Sequence, residues 1–174
     1  MRILSAAALL ILVLAAEVGA TDVPRAYRDV ASAHGIPVTL FYAIALTESG
    51  YSQSVRGIMR PWPWTANFGG QGRYFASRTD AWYAIEEYIG EGHHSVDVGL
   101  MQINWRFHQG QLHSVWRALD PHINLAVAAS ILMACYQQHG DWWASVGCYH
   151  APSNTSRAAA YRDRVRRHWH RLQS

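Results

Sequence analysis

The chain has 174 residues, 50% of them hydrophobic and 16% charged, a balance that excludes a disordered or low-complexity protein and suits one domain with its own core. Formal charge is +3 and all 15 basic residues are arginine, but six of them lie between Arg157 and Arg171 against one acid, Asp163. The stretch from Thr21 to Ser156 holds eight Arg and ten acids, so its body is near neutral and nucleic-acid binding is not expected.

In chain order, Met1-Arg2 is a short positive start, Ile3 to Ala16 is uncharged and apolar, and Val18-Gly19-Ala20 supplies small or modest residues. The pattern reads as a secretory signal peptide over 1–20, cleaved near Ala20, with an uncleaved anchor as the alternative. The apolar run is shorter than the ~20 residues of a spanning helix. The mature domain, 21–174, is expected to be exported, periplasmic and monomeric, with no transmembrane segment. In an oxidising compartment the only two cysteines, Cys135 and Cys148, are expected to form one disulfide, two buried thiols being the alternative.

Helical periodicity runs from Val23 to His34, ended by Gly35 and Pro37, and a very apolar helix from Val38 to Ser49 ends at Gly50. Tyr51 to Ser77, rich in Gly, Pro and aromatic residues, reads as a long irregular loop, with an aromatic-rich insertion at about 56–77. Thr79 or Asp80 caps a helix to about Ile89, and Ser95 to Asn104 reads as a short extended segment or hairpin. A short helix fits His113 to Leu119. Asp120-Pro121 starts a longer one with a stripe of Leu125, Ala128, Ala129, Leu132 and Tyr136, closed by Gly140. Asp141 caps a helix over Trp142 to Tyr149, and Thr155 or Ser156 caps a basic helix at about 157–172. The sum is a compact, mainly α domain with one short extended segment.

Two segments carry chemistry. In Ala45-Leu46-Thr47-Glu48-Ser49-Gly50 a carboxylate ends the most apolar helix, either held there for a reason or left solvated at the helix end. In Asp97-Val98-Gly99-Leu100-Met101-Gln102-Ile103-Asn104, Gly99 permits close backbone approach, and Gln102 and Asn104 offer amides to a hydroxyl-rich ligand.

Together these segments resemble the soluble lytic transglycosylase and goose-type lysozyme superfamily, which cleaves peptidoglycan. The closest likeness is to small exported members that accompany conjugation, type IV secretion and pilus systems. The resemblance runs through Ile36-Pro37, Glu48-Ser49-Gly50, Asp97 to Asn104, Asp120-Pro121 with Asn124, and Tyr149-His150; Trp62-Pro63-Trp64-Thr65 through Gly69-Gly70 resembles an insertion of members from conjugative elements. It implies an α+β lysozyme-like fold with the extended segment beside a catalytic cleft, and a glycan strand as partner, with secretion-machine components as further candidates. By the same resemblance Glu48 is the catalytic acid, Ser49 steadies the acid or the substrate, and Gly99, Leu100, Met101 and Gln102 line the sugar cleft. Tyr149 closes on the acid; His150 and Pro152 stand where the family has Asn and Gly. Asp97 stands where hen-type lysozymes carry a second catalytic carboxylate, so it either assists in the cleft or caps a turn.

Cleaving a glycosidic bond needs a proton donor, and an ordinary Glu titrates near ~4.3. Burial of Glu48 is expected to raise that toward ~6, the value of the acid in hen-type lysozyme. Non-hydrolytic cleavage, giving a 1,6-anhydro product, is the favoured reading; hydrolysis assisted by Asp97 and a non-catalytic glycan-binding module are the alternatives. No cofactor is expected, and His93-His94 and His168-Trp169-His170 lack a metal-site pattern. Trp62, Trp64 and Tyr74 either stack on sugars or fold the insertion. The basic last helix either contacts anionic polymers or a partner, or is a solvated face over Tyr161, Val165 and Trp169.

Overall fold

The computed structural model describes residues 23–52 and 59–174. The signal peptide expected at 1–20 and the start of the insertion, 56–58, lie outside the described residues. The fold is mainly helical with a small antiparallel sheet, the α+β lysozyme-like class.

Helix α1 (Arg25–Ala33) stops where Gly35 turns left-handed at φ +68°, so that the Ile36 and Gly35 amides reach back to the Ala31 and Ser32 carbonyls. Helix α2 (Val38–Ser49) is apolar all round, and every residue from Leu40 to Leu46 is buried. A helix with no polar face belongs at the centre. Helix α8 (Thr155–Gln173) packs along it, burying Ala158, Tyr161, Val165 and Leu172. Helix α6 (Pro121–His139) starts as expected, with Asp120 accepting from the His122 and Ile123 amides, and ends at left-handed Gly140. In the expected stripe Leu125, Ala128, Ala129 and Leu132 are fully buried, whereas Tyr136 sits at the rim against Trp142, rings 4.0 Å apart. Helix α7 (Trp142–His150) is capped by Asp141 and tied to α6 by the Cys135–Cys148 disulfide.

Among its described residues, the expected irregular loop instead carries four short strands or strand ends. Strand β1 (Gly50–Tyr51) pairs with β2 (Arg60–Pro61), and β3 (Thr65–Phe68) forms a hairpin with β4 (Gln71–Tyr74). Gly69 and Gly70, both at positive φ, supply the two-residue turn whose twist matches the strands. Strand β5 (Val96–Val98) pairs with β3 and with β6 (Ile103–Asn104), completing the order β4-β3-β5-β6. The extended segment expected over 95–104 is thus one half of that sheet.

Three helix starts also differ from expectation. Ser77, rather than Thr79 or Asp80, caps α3 (Arg78–Gly90): its hydroxyl accepts from the Asp80 amide and donates to the Asp80 carboxylate, 2.7 Å away. Asn154, rather than Thr155 or Ser156, caps α8 through the Arg157 amide. Helix α4 (Trp105–Leu112), not expected at all, buries only Leu112 and contains Gly110, so its periodic signal is weak; α5 (Val115–Ala118) follows after a positive-φ joint at His113.

Candidate active site

The site begins at the end of α2. Buried Ser49 donates its hydroxyl to the Leu100 carbonyl at 2.6 Å, fastening the last turn of the helix to the turn between β5 and β6. That turn is held from several sides. The Gly99 amide donates to the Thr65 carbonyl on β3 at 2.8 Å. Asn124 of α6, 1% exposed, donates to the Val98 and Ala118 carbonyls and accepts from the Met101 amide. The Tyr149 hydroxyl of α7 donates to the Met101 carbonyl at 2.8 Å. Gly99 has φ +80°, and a Cβ there would lie 2.5 Å from the Asn124 Nδ2, so both backbone and packing demand glycine.

These facts sort the expected ligand-facing residues. Ser49 and Met101 are fully buried and Leu100 nearly so; Ser49 spends its hydroxyl on backbone. Their side chains fasten and fill the turn from behind. Gln102 (φ +46°) remains partly exposed, and its Nε2 donates to the Gly99 carbonyl at 3.0 Å. Its Oε1 is left as an acceptor at the surface.

Asp97 lies between buried Val96 and Val98 and so faces the other side of the sheet. Asn67 and Asn104 are its cross-strand partners. Asn104 Nδ2 donates to Asp97 Oδ1 at 2.8 Å and to the Ser95 hydroxyl at 3.2 Å, while its own Oδ1 is buried with no partner among the described residues. Burial pushes the Asp97 carboxyl up, and the Asn104 donation opposes this.

Glu48 is only partly exposed. Its partner is one that sequence reasoning assigned only to packing: Tyr161 of α8, 1% exposed, whose hydroxyl donates to Glu48 Oε1 at 2.5 Å. The available signal was a tyrosine inside an apolar stripe, since a buried phenol needs a partner. Desolvation pushes Glu48 up to about 8. The Tyr161 hydrogen bond pulls it down, the Asp97 charge raises it, and Arg164 lowers it again. That is a larger shift than expected from sequence, and at pH 7 it leaves the neutral acid in about tenfold excess. Burial raises both Tyr149 and Tyr161 well above 10, so both phenols stay neutral donors. His150 stacks on Tyr161, centroids 4.3 Å apart and planes 4° from parallel; burial, then Arg164 and Arg157, lower its pKa.

The assembly is a neutral carboxylic acid and a second, raised carboxyl sharing one electrostatic neighbourhood, backed by phenols and edged by amides. It can donate a proton to a poor leaving group and accept one back. No group of three or more metal-ligating side chains occurs among the described residues. The basic last helix is joined to the site through Tyr161.

In comparison with known proteins, a model of the family described as "Transglycosylase SLT domain" matches residues 26–171. No curated protein and no solved structure matches.

Proposed function

Because the chain belongs to the transglycosylase SLT domain family, whose members act on peptidoglycan, we propose that it cleaves the β-1,4 bond between N-acetylmuramic acid and N-acetylglucosamine, with Glu48 as general acid and then base. Protonated Glu48 gives its proton to the glycosidic oxygen as that bond breaks. The resulting carboxylate then takes the proton of the muramic 6-hydroxyl as its oxygen closes on C1, leaving a 1,6-anhydro end and consuming no water. Tyr161 holds the carboxyl through both steps, and Tyr149 fixes the turn that faces it. The mature enzyme is 21–174, exported to the periplasm, and opens the wall locally for a conjugation or secretion channel; the sequence resemblance supports this setting.

The observation that carries the reading is the largely buried Glu48 carboxyl, raised to about 8 by desolvation while one phenol aligns it. A zymogram on purified cell wall tests it: the wild type clears, and Glu48→Gln loses at least 100-fold in rate, within the contribution of a general acid. Near-normal clearing by that variant removes the assignment.

A second reading is hydrolysis, with Asp97 stabilising the oxocarbenium-like state or attacking it. It is favoured by the cross-strand setting of Asp97 between Asn67 and Asn104 and by its charge acting on Glu48. Product mass separates the two, since a hydrolysed end carries one more water than an anhydro end.

A further inference from the structure

Beyond Glu48 the chain builds an aromatic surface that the acid chemistry does not use. Tyr51 and Tyr74 stack with centroids 4.4 Å apart and planes 21° from parallel. The Tyr74 hydroxyl donates to the Gly50 carbonyl at 3.2 Å, and the Trp62 amide donates to the Ser49 carbonyl at 2.9 Å. Both ties land on the two residues that follow the acid. Of the three aromatics that sequence left between sugar stacking and folding, Trp62 and Trp64 are half-buried supports. The Trp62 indole N–H is spent on the Phe75 carbonyl at 2.7 Å, and Trp64 packs on the core. Tyr74 alone of the three stays open, at 43% exposure, with Met59 beside Gly50 at 42%.

Sheet register extends the argument. Tyr74 and Gly72 share one face of β4; Gly72 pairs with Asn67 and Asn67 with Asp97, so Tyr74 and Asp97 share one face of the sheet. Asn67 takes the Gly70 amide on its Oδ1 at 2.8 Å, which leaves its NH₂ as a donor on that face. An exposed ring fixed by a stack and a hydrogen bond, next to a polar row, is prepaid in ordering entropy. It matches a pyranose, whose axial C–H groups make one apolar face and whose equatorial hydroxyls and acetamide seek amides.

We propose that Tyr74, backed by Tyr51, is a saccharide subsite that holds one sugar of the glycan strand on the sheet side of Glu48. The proposal rests on the glycan-cleaving reading and adds a binding position to it. The test is titration of chitohexaose into the Glu48→Gln protein, which binds without turnover, and into the same protein carrying Tyr74→Leu, Tyr74→Ala or Tyr74→Phe. Tyr74→Leu and Tyr74→Ala are expected to weaken binding about tenfold. Tyr74→Phe, which keeps the ring and loses only the tie to Gly50, stays within about threefold. Sugar protons shift upfield by ring current with tyrosine or phenylalanine and lose that shift with leucine. Tyr74→Leu keeps an apolar side chain in the strand, so it remains informative if the alanine variant fails to fold. Equal affinity and unchanged sugar resonances in Tyr74→Leu overturn the subsite and leave the glycan reading intact. Absence of any chitohexaose binding to the Glu48→Gln parent overturns both.

Discussion

Glu48 pays for its position in pH dependence. The unfolded chain ionises this carboxyl near 4.5, whereas the fold holds its proton until about 8. Between those values the unfolded state binds fewer protons, so the stability associated with this group declines as pH rises and is lost by about 8. Glu48→Gln is therefore expected to melt higher than the wild type at pH 8.5 by more than it does at pH 4.5, in thermal scans across that range. A constant gap would mean that the carboxyl is not desolvated. Asp97 is raised too, so it contributes a decline of the same sign, which comparison of the two proteins largely subtracts. Tyr161 gives the complementary test. Its hydroxyl stabilises the ionised acid, so Tyr161→Phe is expected to move the alkaline limb of kcat/KM to higher pH while costing about 1 kcal/mol of stability. A limb that stays in place would show that the hydroxyl does not govern the proton on Glu48.

The turn between β5 and β6 is the element that converts helix packing into a site, because α2, β3, α6 and α7 all hold it by hydrogen bonds to its backbone. Gly99→Ala puts a Cβ 2.5 Å from the Asn124 side chain at a φ of +80°. It is expected to cost roughly 2–4 kcal/mol in denaturant unfolding and to lower activity with it. A neutral result would show that the turn can shift without harm. At this scale legibility followed punctuation. Gly35, Gly50, Asp120-Pro121, Gly140 and Asp141 each announce one helix end by a local mechanism, and α1, α2, α6 and α7 fall where those residues put them. The β3–β4 hairpin was hidden because Gly69-Gly70 sits among other glycines and prolines, and an irregular loop uses the same residues as a tight turn. Helix α4 has too little apolar repeat to be seen locally. The acid and its turn were legible because Glu48 and Gly99 are costly choices for their surroundings. Tyr161 was not, because its partner lies 113 residues away.

Across the whole molecule the basic C-terminal segment carries two loads on one helix. Arg157, Arg164, Arg166, Arg167 and Arg171 are exposed, which places much of the chain's excess positive charge on the solvent face of α8. The opposite face buries Tyr161, Val165 and Leu172 against the core that α2 centres. Deleting the chain after Ser156 therefore does more than remove charge. It uncovers α2, takes the phenol from Glu48 and strips Ala158 from Gly147 of α7, where a Cβ would lie 3.1 Å from it. Burial of large apolar side chains at ~1.5–3 kcal/mol each matches the whole stability of a typical domain once three or four are lost. The truncated protein is expected to lose its cooperative melting transition in circular dichroism and to leave a zymogram blank. Tyr161→Phe separates the two causes, since it keeps the helix and removes only the hydroxyl: it should melt cooperatively within a few degrees of the wild type. A truncated protein that still melts cooperatively and clears cell wall would show that α8 is an appendage, and that the acid's proton is governed by α2 and the Gly99 turn alone.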